Sequence, residues 1–225
     1  MSEPIKIDIW SDIACPWCYI GKRKFENGAA AFAAQQGSDA PDVVIEYHSF
    51  ELSPDTPVDF DGSASDFLAA HKGIPADQVS EMLDRVTAIA SDVGLNYDYD
   101  ALQHTNTVKA HQLLHFAKAH GKQLEAKERL LKAYFVEGKH VGRIEDLADL
   151  AAEIGLDRAE VVAALETDTY LDDVRADQAL ALEYGIQGVP FFVIDGKYGV
   201  SGAQEADTFA GVLTQILTER EGVSA

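Results

Sequence analysis

The chain has 225 residues, 47% of them apolar, which is enough to close a full hydrophobic core without disulfide or metal staples. Its 38 acidic and 18 basic side chains leave a net charge of −20. That field repels phosphate backbones and anionic lipid headgroups, so it argues against a nucleic-acid or membrane-surface partner and for a well-solvated surface.

The first residues, MSEPIKIDIWSD, lack the basic start, apolar run and small-residue cleavage site of a secretory signal, and no stretch reaches the roughly 18 apolar residues of a membrane span. A cytoplasmic location is expected. Ile5, Ile7 and Ile9 alternate with Lys6, Asp8 and Trp10, the period of a strand ending near Ser11. A helix is expected to begin close to Cys15, with Ser11 or Asp12 as its cap and Pro16 in its first turn, where a missing N–H costs nothing. Tyr19, Ile20, Phe25, Ala29 and Phe32 supply its buried face.

Both cysteines of the chain lie in the tetrapeptide CPWC, residues 15 to 18. A static clip between them would close a loop too short to remove much unfolded-state entropy. It would also be disfavoured in a reducing compartment. A zinc or iron–sulfur site would need two further ligands, and no other cysteine exists. His111 and His115 share a helical face, with His104 and His120 near in sequence, but a helical histidine pair without a carboxylate at a fixed offset reads as packing or surface groups. No metal and no cofactor are expected. Redox chemistry is left: Cys15 at a helix start is stabilised as a thiolate by unpaired N–H groups, by the positive dipole end and by Lys22, Arg23 and Lys24. Cys15 is then the nucleophile and Cys18, one turn in, the resolving thiol. Asp8 reads as a polar strand residue and Asp12 as a cap rather than as proton relays, and nothing in the spacing of His48 requires a function.

A second strand is expected at 43–50, and the turn-rich TPVDFDGSASD at 56–66 follows it. Beyond it, apolar residues at 79, 82, 83, 86, 89 and 93 form a helical stripe, and further helical runs cover 106–120, 123–136, 144–154, 158–166 and 169–184. Gly94, Gly121, Gly138, Gly155 and Gly185 punctuate them. Val189 to Ile194 is a short apolar strand, joined by the turn signal Asp195-Gly196 to a strand at Tyr198 to Ser201, and a helix at 205–219 closes the chain. Pro190 at the opening of that strand is expected to be trans from residue statistics alone. A cis bond would leave the preceding backbone as an open edge for an extended substrate segment.

SDIACPWCYIGKRKFE followed some 170 residues later by GVPFFVIDGKYGVSGAQ resembles the DsbA family of thioredoxin-fold oxidoreductases. HSFELSP at 48–54, NTVKAHQLLHFA at 106–117 and AYFVEGKHVG at 133–142 resemble its cytoplasmic FrnE-like branch, in the same order along nearly the whole chain. The resemblance implies an α/β thioredoxin-like fold with a large all-helical insertion: a discontinuous thioredoxin-like domain at 1–60 and 186–225, and a helical domain at 61–185. It also implies that Cys15 and Cys18 form a redox pair and that Pro190 is the family's cis-proline. Trp17, Val189 and Pro190 are then the substrate-binding residues, and protein or small thiols such as glutathione are the partners. Strongly oxidising relatives carry histidine between the cysteines; Trp17 cannot become a cation, so a less oxidising couple is expected. Two other readings stay open. One is a glutathione-dependent isomerase of the 2-hydroxychromene-2-carboxylate type, whose relatives usually carry serine at the first cysteine position. The other is a peptide-binding chaperone indifferent to loss of both thiols.

Overall fold

A computed structural model describes residues 3–223 of the chain. Strand β1 (Ile5–Ser11) buries Ile5, Ile7 and Ile9 on one face and sends Trp10 to the other, as a two-residue period requires. It lies inside a four-stranded sheet of order β2-β1-β3-β4. β2 (Val43–Ser49) runs parallel to it, with Ile5 opposite Val43 and Ser11 opposite Ser49. β3 (Phe191–Ile194) and β4 (Tyr198–Ser201) follow antiparallel, with Trp10 opposite Phe191. β3 begins two residues later than the sequence suggests. Pro190 has no N–H for a ladder, and its carbonyl instead accepts from Gly202 N at 2.8 Å.

The crossover from β1 to β2 is helix α1 (Pro16–Gln36), which packs against the C-terminal helix α9 (Ala206–Val223) on the sheet face that carries the isoleucines. Phe25, Phe32, Phe192, Phe209 and Leu213 fill this layer. Gly28 lets the two helices meet: a Cβ there would lie 2.5 Å from Ala206 O and 2.8 Å from Phe209 Cβ.

Seven described helices fall between β2 and β3: α2 (Ala64–Lys72), α3 (Ala76–Asp92), α4 (Val108–Ala119), α5 (Gln123–Phe135), α6 (Ile144–Glu153), α7 (Arg158–Glu166) and α8 (Leu171–Glu183). α2 starts within the segment expected to be only turns. Ser63 Oγ accepts from Asp66 N at 3.0 Å while Asp66 Oδ2 accepts from Ser63 N at 2.9 Å, a reciprocal cap that satisfies two orphan donors. The expected stripe on α3 buries Val79, Leu83 and Val86.

The helices share a core around Leu113, Leu131, Tyr134, Phe135 and Leu147, and Tyr19 and Ile20 of α1 belong to it. α1 is thus apolar on two sides. On the outer edge of the sheet, Gln123 at the start of α5 accepts from Tyr47 N at 3.0 Å and donates to Tyr47 O at 2.8 Å, closing the open ladder of β2. α8 covers the remaining sheet face, where Trp10 donates from Nε1 to Asp177 O at 3.0 Å. No helix among the described residues is long and apolar enough to cross a membrane.

Candidate active site

β1 ends at Ser11, and four residues later the chain turns into α1 with Cys15 itself as the N-cap residue. The expected side-chain cap is not made: Cys15 has extended backbone angles (φ −92°, ψ 113°), no side chain caps the first turn, and Pro16 occupies its first position. Asp12 is instead drawn inward. It is buried, with Oδ2 accepting from Leu52 N at 2.9 Å, Oδ1 from Ala14 N at 3.4 Å, and His111 Nε2 at 3.2 Å from Oδ1. Burial acts to raise its pKa, but the His111 ring and the Leu52 amide outweigh that and hold the carboxyl below its ordinary value.

Both cysteines are free thiols and nearly inaccessible. Cys15 Sγ lies 3.5 Å from Val189 O, at the cis peptide bond between Val189 and Pro190; the trans geometry suggested by residue statistics is not adopted. Pro190 reaches this place because Gly21, on the α1 face one turn beyond Cys18, has no side chain: a Cβ there would sit 2.9 Å from Pro190 Cγ. Tyr97 O–H donates to Pro16 O at 2.7 Å and fixes the first turn from the opposite side.

A cavity of about 540 Å³ opens in front of this turn. Cys15, Pro16, Trp17 and Val189 form one wall, and Phe67, Leu68, Met82, Leu83 and Val86 of α2 and α3 face them. Trp17 is 39% exposed at the rim. His104 also lines the cavity, packed on Phe67 with ring centroids 3.7 Å apart and planes tilted by 32°, and bonded through Nδ1 to Tyr134 O–H. Burial pushes its pKa down to about 4, so the ring is neutral near pH 7. Pro190 and Cys18 lie behind this wall rather than on it.

The three basic residues expected to supply charge to the thiols are engaged elsewhere. Lys22 pairs with Glu26 at 2.5 Å and Glu128 at 2.6 Å, Arg23 pairs with the same two carboxylates, and Lys24 pairs with Glu205. Glu26 lies one turn on in α1, but Glu128 comes from α5 and Glu205 from just before α9, so the fold answers these cations locally. The cation that acts on Cys18 is Lys127 of α5, a residue that sequence reasoning passed over because a lone lysine in an amphipathic helix reads as surface. It is fully buried.

The two sulfurs behave as one acid. Cys15 is raised well above the ordinary thiol value by its hydrogen bond to Cys18 and by burial. Cys18 is lowered: burial opposes this, but the Cys15 hydrogen bond and the Lys127 charge prevail. The direction is opposite to that expected from the helix start alone, since Cys15 is raised and Cys18 lowered, and the two thiols titrate as a pair.

The histidine pair of α4 plays a packing part, as expected: His111 holds Asp12, and His115 Nε2 lies 3.1 Å from both Ser49 Oγ and Asp177 Oδ2. His48 is built into the same polar layer, between Asp177 at 2.7 Å and Asp8 at 2.8 Å. Asp8, Glu46 and His48 approach one another as metal ligands would. Lys6 and Lys118 already neutralise the carboxylates at 3.0 and 2.6 Å, so that cluster carries its own cations.

Residues 6–214 match the family model of the DSBA-like thioredoxin domain. The uncharacterised protein YwbO of Bacillus subtilis (strain 168) is 34% identical over 212 residues, 91% of this chain and 94% of the relative. The crystal structure of SCO1869 from Streptomyces coelicolor, described as a probable DsbA oxidoreductase, superposes with a TM-score of 0.86 at 39% identity, covering 96% of this chain and 91% of that one. The cytosolic disulfide reductase DsbM from Pseudomonas aeruginosa, solved with GSH, shares the fold at a TM-score of 0.63 and 18% identity, covering 95% and 99%. With one family model spanning nearly the whole chain and two relatives above 30% identity at near-full coverage, this protein belongs to the DSBA-like thioredoxin-domain family of oxidoreductases.

Proposed function

We propose that the protein catalyses thiol–disulfide exchange with protein or small-thiol substrates, glutathione among them, through Cys15 and Cys18. The observation that carries this reading is the asymmetry of the pair: Cys15 lines the cavity with its sulfur 3.5 Å from Val189 O, whereas Cys18 sits one turn further in, off the cavity wall. Loss of the Cys15 proton to solvent through the cavity leaves a thiolate at the helix N-terminus. That thiolate attacks a substrate disulfide RS–SR′, forming Cys15–S–SR and releasing R′S⁻. Cys18 then attacks Cys15 Sγ, the Cys15–SR bond breaks, and RS⁻ leaves. Two electrons have moved from the dithiol to the substrate.

In this reading Val189 and Pro190 align the substrate backbone, Trp17 offers it a flat apolar contact at the rim, and the apolar cavity takes its side chain. Assignment to the FrnE-like branch and to the cytoplasm rests on the sequence resemblance and belongs to the same proposal. Trapping tests it: Cys18→Ser, treated with oxidised glutathione or a disulfide-bonded peptide, accumulates a mixed disulfide on Cys15, and Cys15→Ser forms none at that position and loses disulfide reduction. Retention of disulfide reduction by Cys15→Ser would sink the assignment.

A further inference from the structure

The cavity in front of Cys15, at about 540 Å³, is of small-molecule size and larger than one amino-acid side chain fills. The wall that faces the cysteine turn is apolar, made by Phe67 and Leu68 of α2 and by Met82, Leu83 and Val86 of α3. Helix α2 runs outward along it, from buried Ala64 through half-buried Phe67 and Leu68 to exposed His71 and Lys72 at the rim. His71 stacks on Phe67 with ring centroids 5.2 Å apart, so the apolar wall continues to the mouth.

The charges around this cavity are few and one-sided. Asp12 is its one acidic lining residue, and its oxygens are taken by the Leu52 and Ala14 amides and by His111. Lys72 is its lysine. Among the described residues, every lysine except Lys72 and the fully buried Lys127 pairs with a carboxylate. In a chain of 38 acidic and 18 basic side chains, an unanswered ammonium at the mouth of an apolar cavity is a departure from the rest of the surface. The overall negative charge repels anions at long range, but salt screens it beyond about 10 Å, so the local cation decides what is held at the rim.

Resting on the exchange reaction above, we propose that the preferred substrate is a small disulfide with an apolar body and a carboxylate end: its sulfur meets Cys15, its body lies against α2 and α3, and its carboxylate faces Lys72. The apolar wall offers nothing to the ammonium, the peptide groups and the second carboxylate of a glutathione moiety, and burying such groups unpaired is costly. For a symmetrical disulfide RS–SR of this class, the Cys15 thiolate forms Cys15–S–SR and releases RS⁻, which takes a proton from solvent. Cys18 gives up its proton to solvent, closes on Cys15 and releases the second RS⁻. Two electrons pass from the dithiol to two molecules of thiol carboxylate.

Binding is tested without any sulfur in the ligand. Butanoate, hexanoate and octanoate are titrated into the parent protein while the methyl resonance of Met82 is followed by NMR. Affinity is expected to rise about fourfold for each buried CH₂. The ratio of octanoate to octanol affinity is expected to fall about two- to fivefold in Lys72→Gln, the range of an exposed ion pair; Lys72 is exposed, so the variant keeps the fold. In exchange, kcat/KM for the disulfide of mercaptohexanoate is expected to exceed that for oxidised glutathione at least tenfold, and Lys72→Gln to raise KM for the former two- to fivefold at unchanged kcat. A Met82 resonance that octanoate does not move, an affinity flat in chain length, an octanoate-to-octanol ratio indifferent to Lys72→Gln, or oxidised glutathione reduced as fast as the mercaptohexanoate disulfide overturns the proposal. The two readings fail separately. Without the exchange reaction no disulfide is turned over, yet octanoate still binds and still senses Lys72; without the carboxylate site, oxidised glutathione is reduced while octanoate leaves Met82 unmoved.

Discussion

Substituting Gly21→Ala inserts one methyl group between the cysteine helix and the proline that faces it. The new Cβ would stand 2.9 Å from Pro190 Cγ, well inside normal contact, and 3.4 Å from Ala203 Cβ, at its near edge. Pro190 is a ring tied to the backbone, so it cannot swing aside as a long side chain would; relief requires the Val189–Pro190 segment or α1 to shift. Overpacking of this kind costs about 1–3 kcal/mol. Replacing glycine by alanine inside a helix returns about 0.5–1 kcal/mol. A net destabilisation between about 0 and 2.5 kcal/mol follows, read from the urea midpoint at unchanged m-value. Activity should fall further than stability, because the displaced segment carries the Val189 carbonyl that stands 3.5 Å from Cys15 Sγ. Misplacement of a reacting group on the ångström scale costs roughly 10²-fold, so reduction of a disulfide peptide should drop between about tenfold and a hundredfold. Gly28→Ala is the control. It meets a backbone carbonyl at 2.5 Å on α9, remote from the cysteines, and should lose stability while the folded fraction keeps its exchange rate. If Gly21→Ala gains the helix-propensity increment and exchanges as fast as the parent, the packing of α1 on Pro190 does not position the site.

Asp12→Asn keeps the shape but turns an N–H₂ group toward an amide donor and removes a charge-assisted acceptor, so it should cost about 1.5–3 kcal/mol in a denaturant titration; a neutral result would mean the Leu52 and His111 contacts contribute nothing. His48 gives a pH signature. Burial works against its charged form, but Asp177 and Asp8 raise its pKa to about 9, above the roughly 6.5 of an unfolded histidine. Its contribution is therefore complete below about pH 6.5 and is lost as pH rises through about 9; His48→Gln should flatten that decline, and an unaltered profile would contradict it. The reduction potential, measured against glutathione, should lie below the roughly −120 mV of the strongest oxidants of this chemistry, and a value at that level would dispose of the argument from Trp17. Trp17→Ala should raise KM for a peptide disulfide several-fold while leaving stability within about 0.5 kcal/mol, as expected for a 39% exposed side chain.

The strands, and every helix with a clear apolar stripe, were legible because period and turn residues act locally. α2 was missed although its Ser63-x-x-Asp66 cap is a written signature, since the glycine and serine around it read as turn. The cysteine turn was located correctly, but its electrostatics were not. Counting Lys22, Arg23 and Lys24 as field for the thiols ignored Glu26 nearby and Glu128, 105 residues beyond Arg23, which the fold brings onto them. Lys127 shows the complementary failure. Its burial depends on where α5 packs, and nothing in QLEAKERLLKAYF distinguishes it from the solvated lysine at 132.

Helix α1 lies between two hydrophobic bodies, Tyr19 and Ile20 turned to one and Phe25 and Phe32 to the other. A sequence editor who excised residues 61–185 as a detachable module would strip one flank of the cysteine-bearing helix bare and remove the fully buried Lys127 with it. The remaining half would be sticky and catalytically mute. The cysteine turn is thus held in a vice with two jaws, and any inherited trimming or enlargement of the helical part must leave the jaw formed by α3, α4 and α5 in place.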